Sequence, residues 1–196
     1  MADDVRMTLP GGVTEVGAAF AEQASNFVAT VTHVASGATP EAAIPVLLLA
    51  TTDVLASGSR LGAMVDVVPA EEFEPDSGPD TDVEPLRVAL ALILDGLDSY
   101  PEVVDPVLGA ELDTTSLSDG LAEITLALTQ GLAHHEAGHP AEALWWWQFS
   151  YLSGWGATAA SAARVLASIL GHLRLDVDDD VAAEAEYDAL QRHTTG

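Results

Sequence analysis

The sequence predicts an all-α, single-domain bundle of about six or seven helices with a long acidic loop. Three observations carry that expectation. Apolar residues recur at three- and four-residue spacing along most of the chain, which is the period of an amphipathic helix. Proline and capping residues stand where such runs begin, and several runs close on glycine, as helix starts and stops require. No segment alternates convincingly between apolar and polar residues, so strands are not needed. A length of 196 residues is most simply one domain spanning 1–196.

Each element follows from local signals. Residues 1–12, ending in Pro10-Gly11-Gly12, read as a flexible arm. Val13, Val16, Phe20, Phe27, Val31 and Val34 then mark a helix to about Ala35, closed by Gly37. Thr39 and Pro40 cap and open a second helix expected to reach about Ser57. Pro45 is near enough to its start to be tolerated or to shift the first turn. From Gly58 to Val83 the periodicity fails. "VVPAEEFEPDSGPDTDVEP" has the composition of a solvated loop, and its acids Glu71, Glu72, Glu74, Asp76, Asp80 and Asp82 are expected to face water. Pro85 reopens a helix through Val88, Leu90, Leu92, Ile93, Leu94 and Leu97, after which "SYPEVVDPVLGAELDTT" reads as irregular. Ser116 caps the next helix, with Asp119 in its first turn and Leu121, Ile124, Leu128 and Leu132 on one stripe. Beyond a His-rich turn, Ala141 to about Leu173 reads as one long helix, kinked near Gly154-Trp155-Gly156. Asp178–Asp180 cap a short terminal helix to about Arg192.

Charge narrows the function. Acidic residues number 31 against 6 basic ones, and Lys is absent, so the formal charge is −25. Such a surface repels phosphate backbones and anionic lipid, which argues against nucleic acid and membrane surfaces as partners. It favours cations, basic proteins or plain solubility. There is no Cys, which excludes disulfides and thiolate metal sites. The start "MADDVRMTLPGG" lacks an apolar core of the kind a secretion signal needs. The oily runs Ala42–Ala50 and Val88–Leu94 are far below the roughly 18 to 20 residues that span a bilayer. A cytoplasmic protein is the default expectation.

One stretch spells a catalytic signature. His135-Glu136-Ala137-Gly138-His139 matches the H-E-x-x-H of zinc hydrolases, where one helical turn brings two imidazoles together and the Glu serves as general base. That chemistry needs unbroken helix through His139. Gly138 weakens it, and Pro140 drives His139 away from the α region while clashing with the carbonyl of Glu136. The expectation is therefore a turn, with Gly138 left-handed, His139 near the cap of the next helix and Glu142 in its first turn. The alternative is a zinc hydrolase with His135 and His139 as ligands and Glu136 as catalyst; no convincing third ligand stands at a motif spacing downstream, although Glu184 or Glu186 could be proposed. Opportunistic metal binding by His134, His135 and His139 would not imply catalysis.

Trp145, Trp146 and Trp147 are consecutive, so on a helix they point about 100° apart. Leu144, Trp147, Tyr151 and Trp155 share one stripe with Gln148 beside it; Trp145, Phe149 and Leu152 form a neighbouring one. Core burial is expected for Trp145 and Trp147. Trp146 is the expected exposed aromatic, and an exposed Trp is a common anchor of a binding surface.

These residues also carry a family likeness. Ser116, Leu117, Asp119, Leu121, Ala122 and Ile124, then Glu136-Ala137-Gly138, then Trp145, Trp147, Phe149, Ser150, Trp155 and Gly156 resemble the pattern of the bacterial family named domain of unknown function 5063. Upstream, "YPEVVDP" and "FAEQASNFVATV" are similar to its earlier elements. The resemblance implies a helical fold with Glu136-Ala137-Gly138 in an interhelical turn, and it implies no activity. The chain departs from the pattern at Thr125, Leu126, Trp146, Gln148 and Gly154, where the family favours polar or charged residues. A site built from those residues in relatives would be altered here.

Two further likenesses are weak. The "EAGHPAEAL" corner is similar to a single tetratricopeptide unit, but no 34-residue period supports it. Asp176, Asp178 and Asp180 match the opening offsets of a calcium loop, yet Val181 and Tyr187 stand where Gly and Glu are needed.

The sequence thus predicts a helical domain without cofactor or evident catalysis, binding a protein or a small ligand. The expected surface is Trp145, Trp146, Trp147, Gln148, Tyr151 and Trp155. The partner is unidentified; self-association would bury the same residues.

Overall fold

The structure, a computed structural model, describes residues 12–64, 66–68, 81–103, 107–109 and 111–175. The N-terminal arm, most of the acidic loop, Glu184, Glu186, the triplet Asp178–Asp180 and the terminal helix all lie outside the described residues.

The chain is mostly helical. Helix α1 (Gly12–Ala35) ends in a turn whose Gly37 has φ +72°. A short 3-10 turn, Pro40–Ala42, then leads into α2 (Ala43–Gly62). Pro45 explains that prelude, because its ring would clash with the Glu41 carbonyl if the α-helix began any earlier. Helix α2 continues past Gly58, where the sequence had placed the start of the acidic loop. The span Pro40–Gly62 is long and apolar enough to cross a membrane by length and composition, more than the short oily runs suggested. Here α2 packs against α1 and against the last described helix, α6 (Gly156–Leu175), burying Ala43, Ile44, Leu47, Thr51, Val54, Gly58 and Leu61.

Helix α3 (Glu84–Ile93) follows, with Pro85 in its first turn and Leu90 buried. Arg87 holds Glu84 through two hydrogen bonds of 2.7 and 2.6 Å and approaches Asp119 at 3.5 Å, linking α3 to the first turn of α4 (Leu117–Glu136).

The next segment corrects the strand-free expectation. Ser99–Val103 (β1) and Leu112–Ser116 (β2) pair antiparallel, Ser99 opposite Ser116 and Val103 opposite Leu112. Sequence periodicity missed the hairpin because of its ten residues only Tyr100 is buried; every other position is exposed or half-buried. Pro101 is tolerated because both strands of a two-stranded sheet are edges. Burial pushes the Tyr100 hydroxyl above its ordinary pKa.

Helix α4 (Leu117–Glu136) starts where the sequence indicated: the Ser116 hydroxyl accepts from the Asp119 N–H at 3.1 Å. Asp98 adds a second cap, its carboxylate accepting from the Ser118 N–H and Oγ at 2.8 and 2.7 Å. After a turn come α5 (Pro140–Ser150), a five-residue π-helical turn at Tyr151–Trp155, and α6 (Gly156–Leu175). The expected long helix is present, with a π turn at the site of the expected kink.

Packing depends on glycines facing aromatics. Trp147 is fully buried, and a Cβ on Gly131 would lie only 2.0 Å from its Nε1. On α2, a Cβ on Gly58 would strike Trp155 at 2.3 Å, and one on Gly62 would strike Tyr151 at 2.7 Å. Phe20 of α1 completes the cluster, 4.8 Å from Trp147 and 6.4 Å from Trp155 between ring centroids.

Gly131→Ala is accordingly expected to destabilise the fold by about 1–3 kcal/mol through overpacking, despite the better helix propensity of Ala. Gly171→Ala, where nothing lies within 4 Å of the new methyl, should instead stabilise by about 0.5–1 kcal/mol. Urea denaturation of the two variants checks both signs.

Candidate functional site

The H-E-x-x-H stretch is a helix end. Ala137 caps α4 and Gly138 has φ +88°. The Gly138 N–H donates to the His135 carbonyl and the His139 N–H to the His134 carbonyl, both at 3.0 Å. This nested pair is a Schellman closure, which satisfies carbonyls that the helix end would leave bare. His139 is the N-cap position of α5 and Pro140 its first residue. His139 Nδ1 lies 3.1 Å from Glu142 Oε2, while the His135 ring sits 6.3 Å from Trp147. The two histidines therefore belong to different helices, and the single-face arrangement a zincin requires is not formed. Among the described residues no group of three or more His, Asp or Glu side chains is placed to hold a metal ion.

The same turn sets the face that α5 presents. Trp147 donates its indole N–H to the Leu128 carbonyl at 3.1 Å, and Trp146 donates to the Ala127 carbonyl at 3.0 Å. Two consecutive indoles thus hold two consecutive carbonyls of α4. Gln148 is buried on the other side, its Oε1 accepting from the Val67 N–H and its Nε2 donating to the Leu61 carbonyl, each at 2.9 Å. It joins α5 to the end of α2. The Tyr151 hydroxyl meets Ser59 Oγ at 3.0 Å, and Trp155 donates to Ser150 Oγ at 3.2 Å.

The expected binding surface is thereby revised. Trp147, Gln148 and Trp155 are interior residues, at 0%, 3% and 1% exposure, and Tyr151 is half-buried. Trp146 is half-buried too, because Ala127 captures its N–H. Trp145, expected in the core, is half-buried and stacks on Phe149 with centroids 5.1 Å apart and planes 4° from parallel. The open apolar positions are Phe149 and Leu152, at 52% and 62% exposure. The Trp145-Phe149-Leu152 stripe was visible in the sequence, but α5 is apolar all round, so composition gave no inward direction.

Two acids lie on the helices that meet here. Glu142 lies one turn before Trp145, and Glu123 lies one turn before Ala127, its Oε1 3.4 Å from where a Gly154 Cβ would stand. Of the positions that depart from the family pattern, Thr125 is buried and bonds the Leu121 carbonyl at 2.8 Å, while Gln148 is used structurally.

Comparison with known proteins now adds the family. Residues 12–172 match the model of the domain of unknown function DUF5063, a span that takes in the hairpin, the Schellman turn and the tryptophan helix. The chain belongs to the DUF5063 family. The crystal structure of protein BF1032 from Bacteroides fragilis is similar, with a TM-score of 0.62 and 19% identity over 76% of this chain and 89% of that one. At that identity the likeness extends to the fold. No curated protein matches the chain.

Two outcomes test this geometry. Gln148→Ala leaves the Val67 N–H and the Leu61 carbonyl without their side-chain partner, and is expected to cost about 2–4 kcal/mol in urea unfolding. Added zinc should shift the thermal midpoint of the DUF5063 domain and of its His135→Ala/His139→Ala variant equally; protection confined to the parent would revive the metal site.

Proposed function

We infer that this DUF5063 domain is a protein-interaction module that docks a basic, amphipathic partner on the outer side of α5. The observation that carries the reading is Phe149, stacked on half-buried Trp145 and left open to solvent together with Leu152. Aromatic residues held in place lose little entropy on binding, which suits them as anchors. Trp145 and Trp146 supply fixed, half-buried flanks.

Charge selects the partner. Two copies of a chain at −25 repel when pressed together, and its acids, Glu123 on α4 and Glu142 on α5 among them, add to the cost. A partner carrying Arg or Lys around an apolar centre meets the same acids favourably. The hydrolase alternative has no support in the geometry, since His135 and His139 do not converge.

The test uses a 14-residue helical peptide with leucines on one face and lysines on the other, titrated by fluorescence anisotropy. Phe149→Ala and Leu152→Ala should each weaken binding roughly 10-fold, with unchanged circular dichroism. Affinity should fall as salt rises from 50 to 300 mM, a range over which surface charge is progressively screened. Equal binding of a Leu/Glu peptide, or indifference to both substitutions, would remove the proposal. A dimer lost on Phe149→Ala would make a second copy the occupant.

A further inference from the structure

A second feature lies on the α1–α2 face. The start of α1 and the end of α2 leave between them a cleft of about 470 Å³, lined by Val16, Phe20, Leu61 and Met64 and by Glu22, Gln23, Asp53, Ser57 and Arg60. Ala19 and Ala56, both exposed, add only methyl groups to its walls. Its floor is rigid: Phe20 and Leu61 are 5% and 2% exposed, and Phe20 rests on Trp147 and Trp155.

The cleft is electrically polarised along its length. Helices α1 and α2 run antiparallel, as the pairing of early α1 residues with late α2 residues shows. Glu22 and Gln23 therefore fall toward the Asp53 end, whereas Arg60 falls toward Val16 and Met64. Asp53 and Arg60 are seven residues apart on α2, two turns on the same face, which separates them by about 10 Å along the axis. Neither Glu22, Asp53 nor Arg60 forms an ion pair among the described residues. Opposite charges are thus held apart across an apolar floor instead of neutralising each other.

A dipolar ligand with a cation at one end, an anion at the other and an apolar middle matches this pattern. An extended chain advances about 3.3–3.6 Å per residue, so three residues place an ammonium and a carboxylate about 10 Å apart. We propose that the α1–α2 cleft binds a short peptide of about three residues through its free termini. The terminal ammonium sits at Asp53 and Glu22. The terminal carboxylate meets Arg60, whose planar guanidinium suits a two-oxygen anion. The central side chain rests on Phe20 and Leu61, while Gln23 and Ser57 face the peptide groups. This site is separate from the α5 surface and stands or falls alone.

Calorimetric titration of the full chain with the tripeptide Ala-Leu-Ala tests it. Saturable binding is expected, weakened at least 10-fold by acetylating the amino end, by amidating the carboxyl end, or by replacing the central Leu with Gly. Arg60→Gln should weaken the free peptide about 10-fold and leave the amidated one unaffected; Asp53→Asn should do the same for the free and acetylated forms. Asp53 and Arg60 are exposed, so both variants should keep the parent circular dichroism. Absence of saturable binding, equal binding of the blocked peptides, or unchanged affinity in both variants would overturn the proposal. Loss of tripeptide binding in Phe149→Ala would also overturn it, by placing the peptide on α5.

Discussion

Trp147 lying flat against Gly131 is the contact on which the rest of the C-terminal half depends. A side chain at 131 would occupy the space of the indole, so only glycine lets α5 approach α4 this closely. At that separation the Trp147 N–H reaches a backbone carbonyl of α4, and Trp146 reaches the next one. Burying an indole of this size contributes on the order of 4–6 kcal/mol before entropy is counted. The close approach also demands a tight connection, and the Schellman closure at Gly138 followed by Pro140 supplies it. The H-E-x-x-H spelling is a by-product of that connection. Its residues are those of a helix end, a left-handed glycine and a helix start.

A matching device operates on α2. Gly58 and Gly62, one turn apart, form a trough into which Trp155 and Tyr151 descend. The π-helical turn makes this possible, because its wider winding rotates the chain between α5 and α6. Tyr151 and Trp155 then meet edge to face at 4.9 Å, both directed onto α2. Gln148 closes the arrangement by bonding the end of α2 and the segment beyond it. Polar atoms this deep are costly unless paired, and the pairing fixes the position of α5 more sharply than apolar contact alone.

The proposed docking surface is what these contacts leave over. With α5 committed to α4, α1 and α2, what remains open is Phe149 and, in the π turn that follows, Leu152, with half-buried Trp145 beside them. The clustered aromatics are consequently divided between a scaffold and an exposed strip. The same core supports the floor of the α1–α2 cleft through Phe20. The cleft carries both signs of charge, Asp53 and Glu22 against Arg60, whereas the α5 strip belongs to a chain without lysine and strongly acidic overall.

Much of this was legible in the sequence. Helix starts at Ser116 and Pro140, the left-handed Gly138 and the stripes of α1 and α4 follow from local rules that need no tertiary partner: capping, proline sterics and the 3.6-residue period. The hairpin was not legible, because a two-stranded edge with one buried side chain has no alternating pattern to detect. The direction of α5 was not legible either, since a helix apolar on every side carries no moment. Burial of Trp147 was expected from its size, but only the tertiary structure decided that Gln148 joins it inside while Trp145 stays half-buried and Phe149 faces water, through the space left at Gly131 and the carbonyls waiting there. The amino-acid order determined where the chain turns, because those forces act within a few residues. Which surfaces remain open was decided by distant glycines, because packing is a property of pairs of helices.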